Sequence, residues 1–321
     1  MSIRRLLPLV AAIVLAAPPE SARAQDLNIP IAIDSIEYLL TTAPFEMGPL
    51  TGTRFAGDRT SRAVFTFDTL TSFMVKLAPA PRGGGESDFN NVPRYEVAAY
   101  ELQKLFLDEP EIVVPPTVMR AFPLDWYRER DRGVDQTMRG ARSVVVVLQS
   151  FLQFVNTENV WDEDRFQADT AYARNWANLN LLTYLIRHND SNSGNLMISN
   201  FSANPRVFSV DNGVAFNSID SERGTRWRTP QVDRFPSRTV ARIRAITEEQ
   251  LHRTLGVVAQ WRVENEELVP MAATANIDPR DGVRQRNGIV QFGLTRDEID
   301  DLWYRLRTFL REVDAGRYHT F

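Results

Sequence analysis

His188-Asn189-Asp190-Ser191-Asn192-Ser193-Gly194-Asn195 has the form His-x-Asp-x-x-x-x-Asn. Immediately before it, Trp176, Leu179, Leu182, Leu185 and Ile186 recur at helical spacing, so a long helix is expected to deliver this polar loop. Such a loop can set one carboxylate to receive a hydroxyl proton and one amide oxygen to hold a metal ion, as phosphoryl transfer requires. A helix-ending turn has the same composition, because Asn, Asp, Ser and Gly all favour turns. The loop alone therefore leaves both readings open.

The surrounding chain supplies the remaining groups. Phosphoryl transfer needs a cation on the nucleotide phosphates and acidic or amide oxygens on the metal ions. Downstream, Val207–Val210 reads as a short strand leading into Asp211-Asn212-Gly213, where Asp211 is a candidate metal ligand. Asn-Gly after a strand is also a hairpin signal. Upstream, Phe73-Met74-Val75-Lys76 is an apolar strand that presents one lysine, the candidate phosphate-binding group. Glu96 falls 20 residues later on the first turn of a predicted helix, through Tyr95, Ala98, Ala99, Leu102 and Leu105. It can pair with Lys76 or reach the metal directly. Each feature has an ordinary structural reading: an edge lysine, an acid at a helix start, a polar turn. Their occurrence in one order, each in the local structure the chemistry needs, favours the joint reading.

Working outward, Arg62–Thr69 and Ser72–Leu77 are predicted strands, Pro79–Gly85 a loop, and Pro110–Pro116 an extended segment. The β-branched run Ser143–Leu148 predicts a buried strand that acts as a hinge. Beyond residue 150 the pattern is mainly helical. Thr247–Gln250 and Thr295–Glu298 both fit a capping box, and Ile299, Leu302, Trp303, Leu306, Phe309 and Leu310 form an apolar core stripe. Met47–Gly57 or Gly83-Gly84-Gly85 would serve as a phosphate-covering loop, although neither contains Gly-x-Gly-x-x-Gly. Arg223, Arg226, Arg228, Arg234 and Arg238 would suit an anionic ligand or simply a solvated loop.

The N-terminus reads as an export signal. Arg4-Arg5 is basic, Leu6–Ala17 is uncharged and apolar, and Ala22-Arg23-Ala24 is a small-x-small cleavage pattern before Gln25. Leu6–Ala17 is too short to cross a bilayer, so cleavage after Ala24 and a periplasmic or extracellular protein without stable membrane insertion are expected. The loss of three arginines and Glu20 from 37 basic and 41 acidic residues leaves a net charge of about −6. That balance excludes ordinary nucleic-acid binding. There is no cysteine, which excludes thiolate metal sites and cysteine nucleophiles, and the three histidines are widely spread. A divalent metal would therefore be held by oxygen, which points to magnesium, manganese or calcium.

Arg94-Tyr95-Glu96-Val97-Ala98-Ala99-Tyr100-Glu101-Leu102 followed by Val114-Pro115-Pro116 resembles a helix and loop of the secreted Golgi casein-kinase family. Leu185-Ile186-Arg187-His188-Asn189-Asp190 and Val210-Asp211-Asn212-Gly213-Val214-Ala215-Phe216 resemble that family's catalytic and metal-binding segments. More distantly, the Asp-x4-Asn loop is similar to those of HipA-type and phosphatidylinositol kinases. The resemblance covers about Phe73 to Phe216. It implies that Lys76 holds nucleotide phosphates, Glu96 reaches the lysine or the metal, Asp190 is the catalytic base and Asp211 the main metal ligand. Asn195 matches the broader kinase pattern as a further metal ligand. The family has Asp-Arg-His where this chain has Asp190-Ser191-Asn192, and past Phe216 no Ala-Pro-Glu segment follows.

The expected architecture is α+β and two-lobed: a signal peptide at 1–24, a β-rich kinase-like lobe with one key helix at 25–150, and a mainly helical lobe at 151–321. The expected activity is transfer of phosphate from ATP or another nucleoside triphosphate to a hydroxyl of a protein, sugar or small molecule, with magnesium or manganese. Two rivals use the same fold: an exported pseudokinase that binds nucleotide or a partner without catalysis, and a nucleotidyl transferase.

Overall fold

The computed structural model describes residues 28–52, 59–87, 90–216 and 229–321. The proposed signal peptide and the arginines at 223, 226 and 228 lie outside the described residues, as does most of the stretch between Gly52 and Gly57.

The first lobe is built on one antiparallel sheet. Its strands are β1 (Glu46–Met47), β2 (Thr51–Gly52), β3 (Ser61–Thr66), β4 (Ser72–Pro79), β5 (Thr117–Pro123) and β6 (Ser143–Ser150). The order is β1-β3-β4-β6-β5, with β2 also on β3. Helix α1 (Ile33–Thr41) buries Ile33, Ile36 and Leu40, and α2 (Pro93–Gln103) starts with proline at its first turn, where no intrahelical N–H is needed. A 3₁₀ turn (Glu109–Glu111) precedes β5, and α3 (Leu124–Arg128) follows it.

Strand β6 is buried at every position because both faces of the sheet are covered. Val144, Val146 and Leu148 join the main core with Val75 and Leu77 of β4. Val145 and Val147 face a second core on the opposite side. This explains the unbroken valine run. The predicted strand 62–69 ends at Thr66, because Asp68 accepts the N–H groups of Leu70 and Thr71 and closes a turn.

The second lobe contains β7 (Val155–Asn156), α4 (Glu163–Ala168), α5 (Thr170–Leu185), β8 (Leu196–Ser199), β9 (Val207–Ser209), β10 (Arg234–Phe235), α6 (Ser237–Ala245) and α7 (Glu248–Leu255). It continues through β11 (Ala259–Glu264), β12 (Glu267–Pro270), β13 (Val283–Arg286), β14 (Ile289–Phe292), α8 (Arg296–Asp314) and β15 (His319–Thr320). Asp169 caps α5 by accepting the N–H groups of Ala171 and Tyr172, and the helix is buried on nearly all sides. Thr247 accepts the Gln250 N–H at the start of α7, and at Thr295 both halves of the capping box are made. Among the described residues, no helix is long and apolar enough to cross a membrane.

Among the elements not anticipated, two shape the packing most. Strand β5 follows directly on Pro115-Pro116, and β12-β11-β14-β13 form an antiparallel sheet in the C-terminal part of the chain. That sheet does not stay with its sequence neighbours. Trp261, Leu268, Val290 and Phe292 pack against Ala80, Met119, Val145 and Val147 of the first lobe and Val97 of α2. The later sheet thus returns to cover the earlier one.

Candidate active site

A cleft of about 1150 Å³ runs between the lobes, and Lys76, Glu96, Asp190, Asn195 and Asp211 all line it. Lys76 on β4 lies opposite Arg62 of β3 and Gln149 of β6 in the ladder register. Residues in direct register share a face, and all three side chains line the cleft.

The loop that carries Asp190 is shaped by the end of α5. Arg187 adopts a left-handed conformation (φ 50°) and turns the chain out of the helix. The His188 N–H then donates to the Thr183 carbonyl at 2.9 Å, and Asn189 N–H to Val214 at 2.8 Å. Burial holds the His188 imidazole below its ordinary pKa, and its Nδ1 accepts the Asp190 N–H at 3.2 Å. The Asp190 carboxylate is oriented by two amides. Asn192 Nδ2 donates to Oδ1 and Asn195 Nδ2 to Oδ2, each at 3.0 Å. With Nδ2 committed to Asp190, Oδ1 is the atom that Asn195 can offer a cation.

Asp211 follows β9 and is itself left-handed (φ 55°). Asn212 braces the turn, its Oδ1 accepting from the Ser209 hydroxyl at 2.8 Å. Asp211 forms an ion pair with Lys76, whose Nζ also lies 3.7 Å from Glu96 Oε1. The Lys76 charge holds the Asp211 carboxyl below its ordinary pKa. Burial pushes Glu96 the other way, against the opposing effect of Lys76. Glu96 Oε2 accepts the Asn212 N–H at 3.0 Å. Of the two roles open to Glu96, this geometry is that of a partner to the lysine and to the loop.

The glycine of Asp211-Asn212-Gly213 is needed for close approach. Its φ is not positive, but an added Cβ would lie 2.7 Å from Asn91 Oδ1 and 3.4 Å from Asn91 Cα. The Val92 N–H donates to the Gly213 carbonyl at 2.9 Å, so the start of α2 is stitched to this loop.

Other sequence candidates fall elsewhere. Gly83-Gly84-Gly85 is a turn packed on the second sheet: a Cβ on Gly84 would lie 2.6 Å from the Phe292 ring. It does not line the cleft, whereas Gly52 does. Arg234 stacks on Phe166 and Phe321, and Arg238 pairs with Asp108, so neither serves the cleft. Glu248, His252 and Asp300 bring ligand atoms within 4.8 Å of one another between α7 and α8, away from the cleft.

Sequence reasoning missed three contributors. Asn192 orients Asp190, although its side chain carried no motif signal. Asn28 lies far upstream, yet its Nδ2 donates to the carbonyls of Gln153 and Phe154 and its own carbonyl accepts the Gln153 N–H. It thereby ties down the segment that links the lobes. Arg94, two positions before Glu96 on α2, is held by Glu298 outside the cleft.

No protein-family model matches the chain, and no curated protein matches it in sequence. Among solved structures, that of hydra Fam20 with sugar superposes with a TM-score of 0.53 at 13% identity, covering 88% of this chain and 88% of that one. The likeness is one of fold: α+β, kinase-like and two-lobed. The resemblance to the Golgi casein-kinase family holds at that level.

Proposed function

We propose that this protein is an exported, metal-dependent kinase that moves the terminal phosphoryl group of a nucleoside triphosphate to a hydroxyl of a protein, sugar or small molecule. The carrying observation is the convergence of Lys76, Glu96, Asp190, Asn195 and Asp211 on one cleft between two lobes.

Lys76 would meet the nucleotide phosphates, with Glu96 holding its ammonium in place. Asp211 and Asn195 Oδ1 form an oxygen donor set that fits magnesium or manganese. Held there, such an ion would supply neutralisation of the charge that develops on the transferring phosphoryl oxygens. Asp190, fixed by Asn192 and Asn195, takes the acceptor's hydroxyl proton. The acceptor oxygen bonds to the γ-phosphorus as the bond to the bridging oxygen breaks, and the nucleoside diphosphate leaves. Export rests on the sequence of the first 24 residues.

The test is Asp190→Asn, which retains shape and removes the base. Transfer or autophosphorylation, followed by mass spectrometry, is expected to fall about 10²–10⁴-fold, the usual share of general-base catalysis. Metal-dependent nucleotide affinity should stay near wild type. Equal turnover by the two proteins removes Asp190 from the mechanism. Wild-type nucleotide binding without turnover, across metals and acceptors, assigns a pseudokinase instead.

A further inference from the structure

Glu96 is two residues from Arg94, and the two side chains leave the first turn of α2 about 200° apart. Glu96 points to Lys76 and the Asp211 loop. Arg94 points into a socket made by the C-terminal part of the chain. It is 9% exposed, and Glu298 is 4% exposed. Arg94 Nη1 and Nη2 meet Glu298 Oε2 and Oε1 at 2.5 and 2.7 Å in a bidentate pair. Nη1 also donates to the Gly293 carbonyl at 3.1 Å. The socket has no room for a side chain on its wall: a Cβ added to Gly282 would lie 2.2 Å from Arg94 Nε.

Glu298 is bound from its own side too. Its Oε2 accepts the Thr295 N–H at 2.8 Å, as part of the cap of α8. The Tyr95 hydroxyl donates to Oε1, and the Tyr95 ring lies 5.1 Å from Phe216 at the end of the Asp211 segment. Neither Arg94 nor Glu298 lines the cleft. A buried ion pair between distant segments contributes little net stability against an apolar replacement, and fixing one conformation among several is a role such pairs can fill.

We propose that the Arg94–Glu298 pair is a positioning clamp, by which α8 holds α2 at the rotation that sets Glu96 against Lys76 and the Asn212 N–H. The site is then held in place in part by the C-terminal helix. The catalytic consequence rests on the kinase reading; the positioning of Asn212 does not.

The test uses the full-length mature chain without nucleotide first. Hydrogen exchange followed by mass spectrometry reads peptides over 93–103 and 210–216. Glu298→Gln keeps shape and an oxygen acceptor for Thr295 but drops the charge. It is expected to speed exchange in both peptides by about tenfold or more, with α5 unchanged. With magnesium and ATP, KM should rise and kcat at saturation should fall. The double variant Arg94→Met/Glu298→Leu replaces the pair with apolar groups. It is expected to regain the melting temperature but neither the slow exchange at 210–216 nor kcat. Recovery of all three by the double variant would show a purely structural pair and overturn the proposal. So would a folded Glu298→Gln with wild-type exchange and kinetics. If Glu298→Gln does not fold, the double variant decides alone. Faster exchange in the variants, in a chain whose wild type never binds nucleotide, sinks the kinase reading and leaves the clamp standing.

Discussion

Lys76 and Asp211, 135 positions apart in the chain, form an ion pair at the floor of the cleft, and Glu96 lies 3.7 Å from the same ammonium. One cation thus serves two carboxylates with opposite tendencies. Lys76 lowers the Asp211 pKa, whereas burial raises that of Glu96. Asp211 is the more firmly ionised of the two, which suits it to a divalent metal.

Asp211→Asn should remove the metal-dependent part of the thermal shift caused by nucleotide, while the metal-free chain stays folded. Asparagine is chosen because it tolerates the left-handed backbone at this position. Melting curves with nucleotide, with and without magnesium, check this. A variant stabilised as strongly as wild type would make Asp211 only a turn residue.

Glu96→Ala strands both the Asn212 N–H and one side of Lys76. The expected loss is about 1–3 kcal/mol of unfolding free energy, the cost of a buried donor left unsatisfied. Glu96→Gln keeps an oxygen for Asn212 and should lose less. Urea unfolding of the three proteins gives the comparison, and equal losses would deny the Glu96–Asn212 bond any weight.

Gly213→Ala places a methyl against Asn91, where backbone as well as side chain blocks relief. A loss of about 1–3 kcal/mol is expected, as for overpacking elsewhere. The effect should concentrate at the join between α2 and the Asp211 loop, visible as faster hydrogen exchange at Val92. A silent substitution would mean that the two segments do not hold this approach in solution.

Glu298 makes stability depend on acidity. Burial raises its pKa, but hydrogen bonds and charge from Arg94 outweigh burial and leave it below the ordinary 4.5. A depressed carboxylate contributes stability in full above its unfolded value, and loses it as pH falls through the folded value. The wild type should therefore lose melting temperature below about pH 4.5 more steeply than Glu298→Gln. Parallel curves for the two proteins would show that the Arg94 pair does not perturb Glu298.

Much of the site was legible because its signals are local. Helix periodicity up to Ile186, a turn-forming loop with Asp190 and Asn195, and a short strand into Asp211 each occupy a window of a few residues. The same was true of the Thr295 cap, where both hydrogen bonds span three positions. The missed second sheet also had a local signal. Asn287-Gly288 joins β13 to β14 with both residues at positive φ, as an Asn-Gly hairpin requires. Its packing place had none. Nothing near Trp261 or Phe292 in sequence indicates Val145 or Val147 as neighbours.

By itself, the sequence determined which groups are available and the order in which they come: one strand lysine, one helix glutamate, one Asp-x4-Asn loop, one strand-borne aspartate. Those follow from side-chain chemistry and short-range periodicity, which act within one element. Only the tertiary structure decided that Glu96 meets Asn212 across 116 positions and that Arg94 meets Glu298 across 204. Such pairs depend on how the two lobes and the returning sheet close on one another, and that closure combines apolar burial with ion pairs and hydrogen bonds between distant segments.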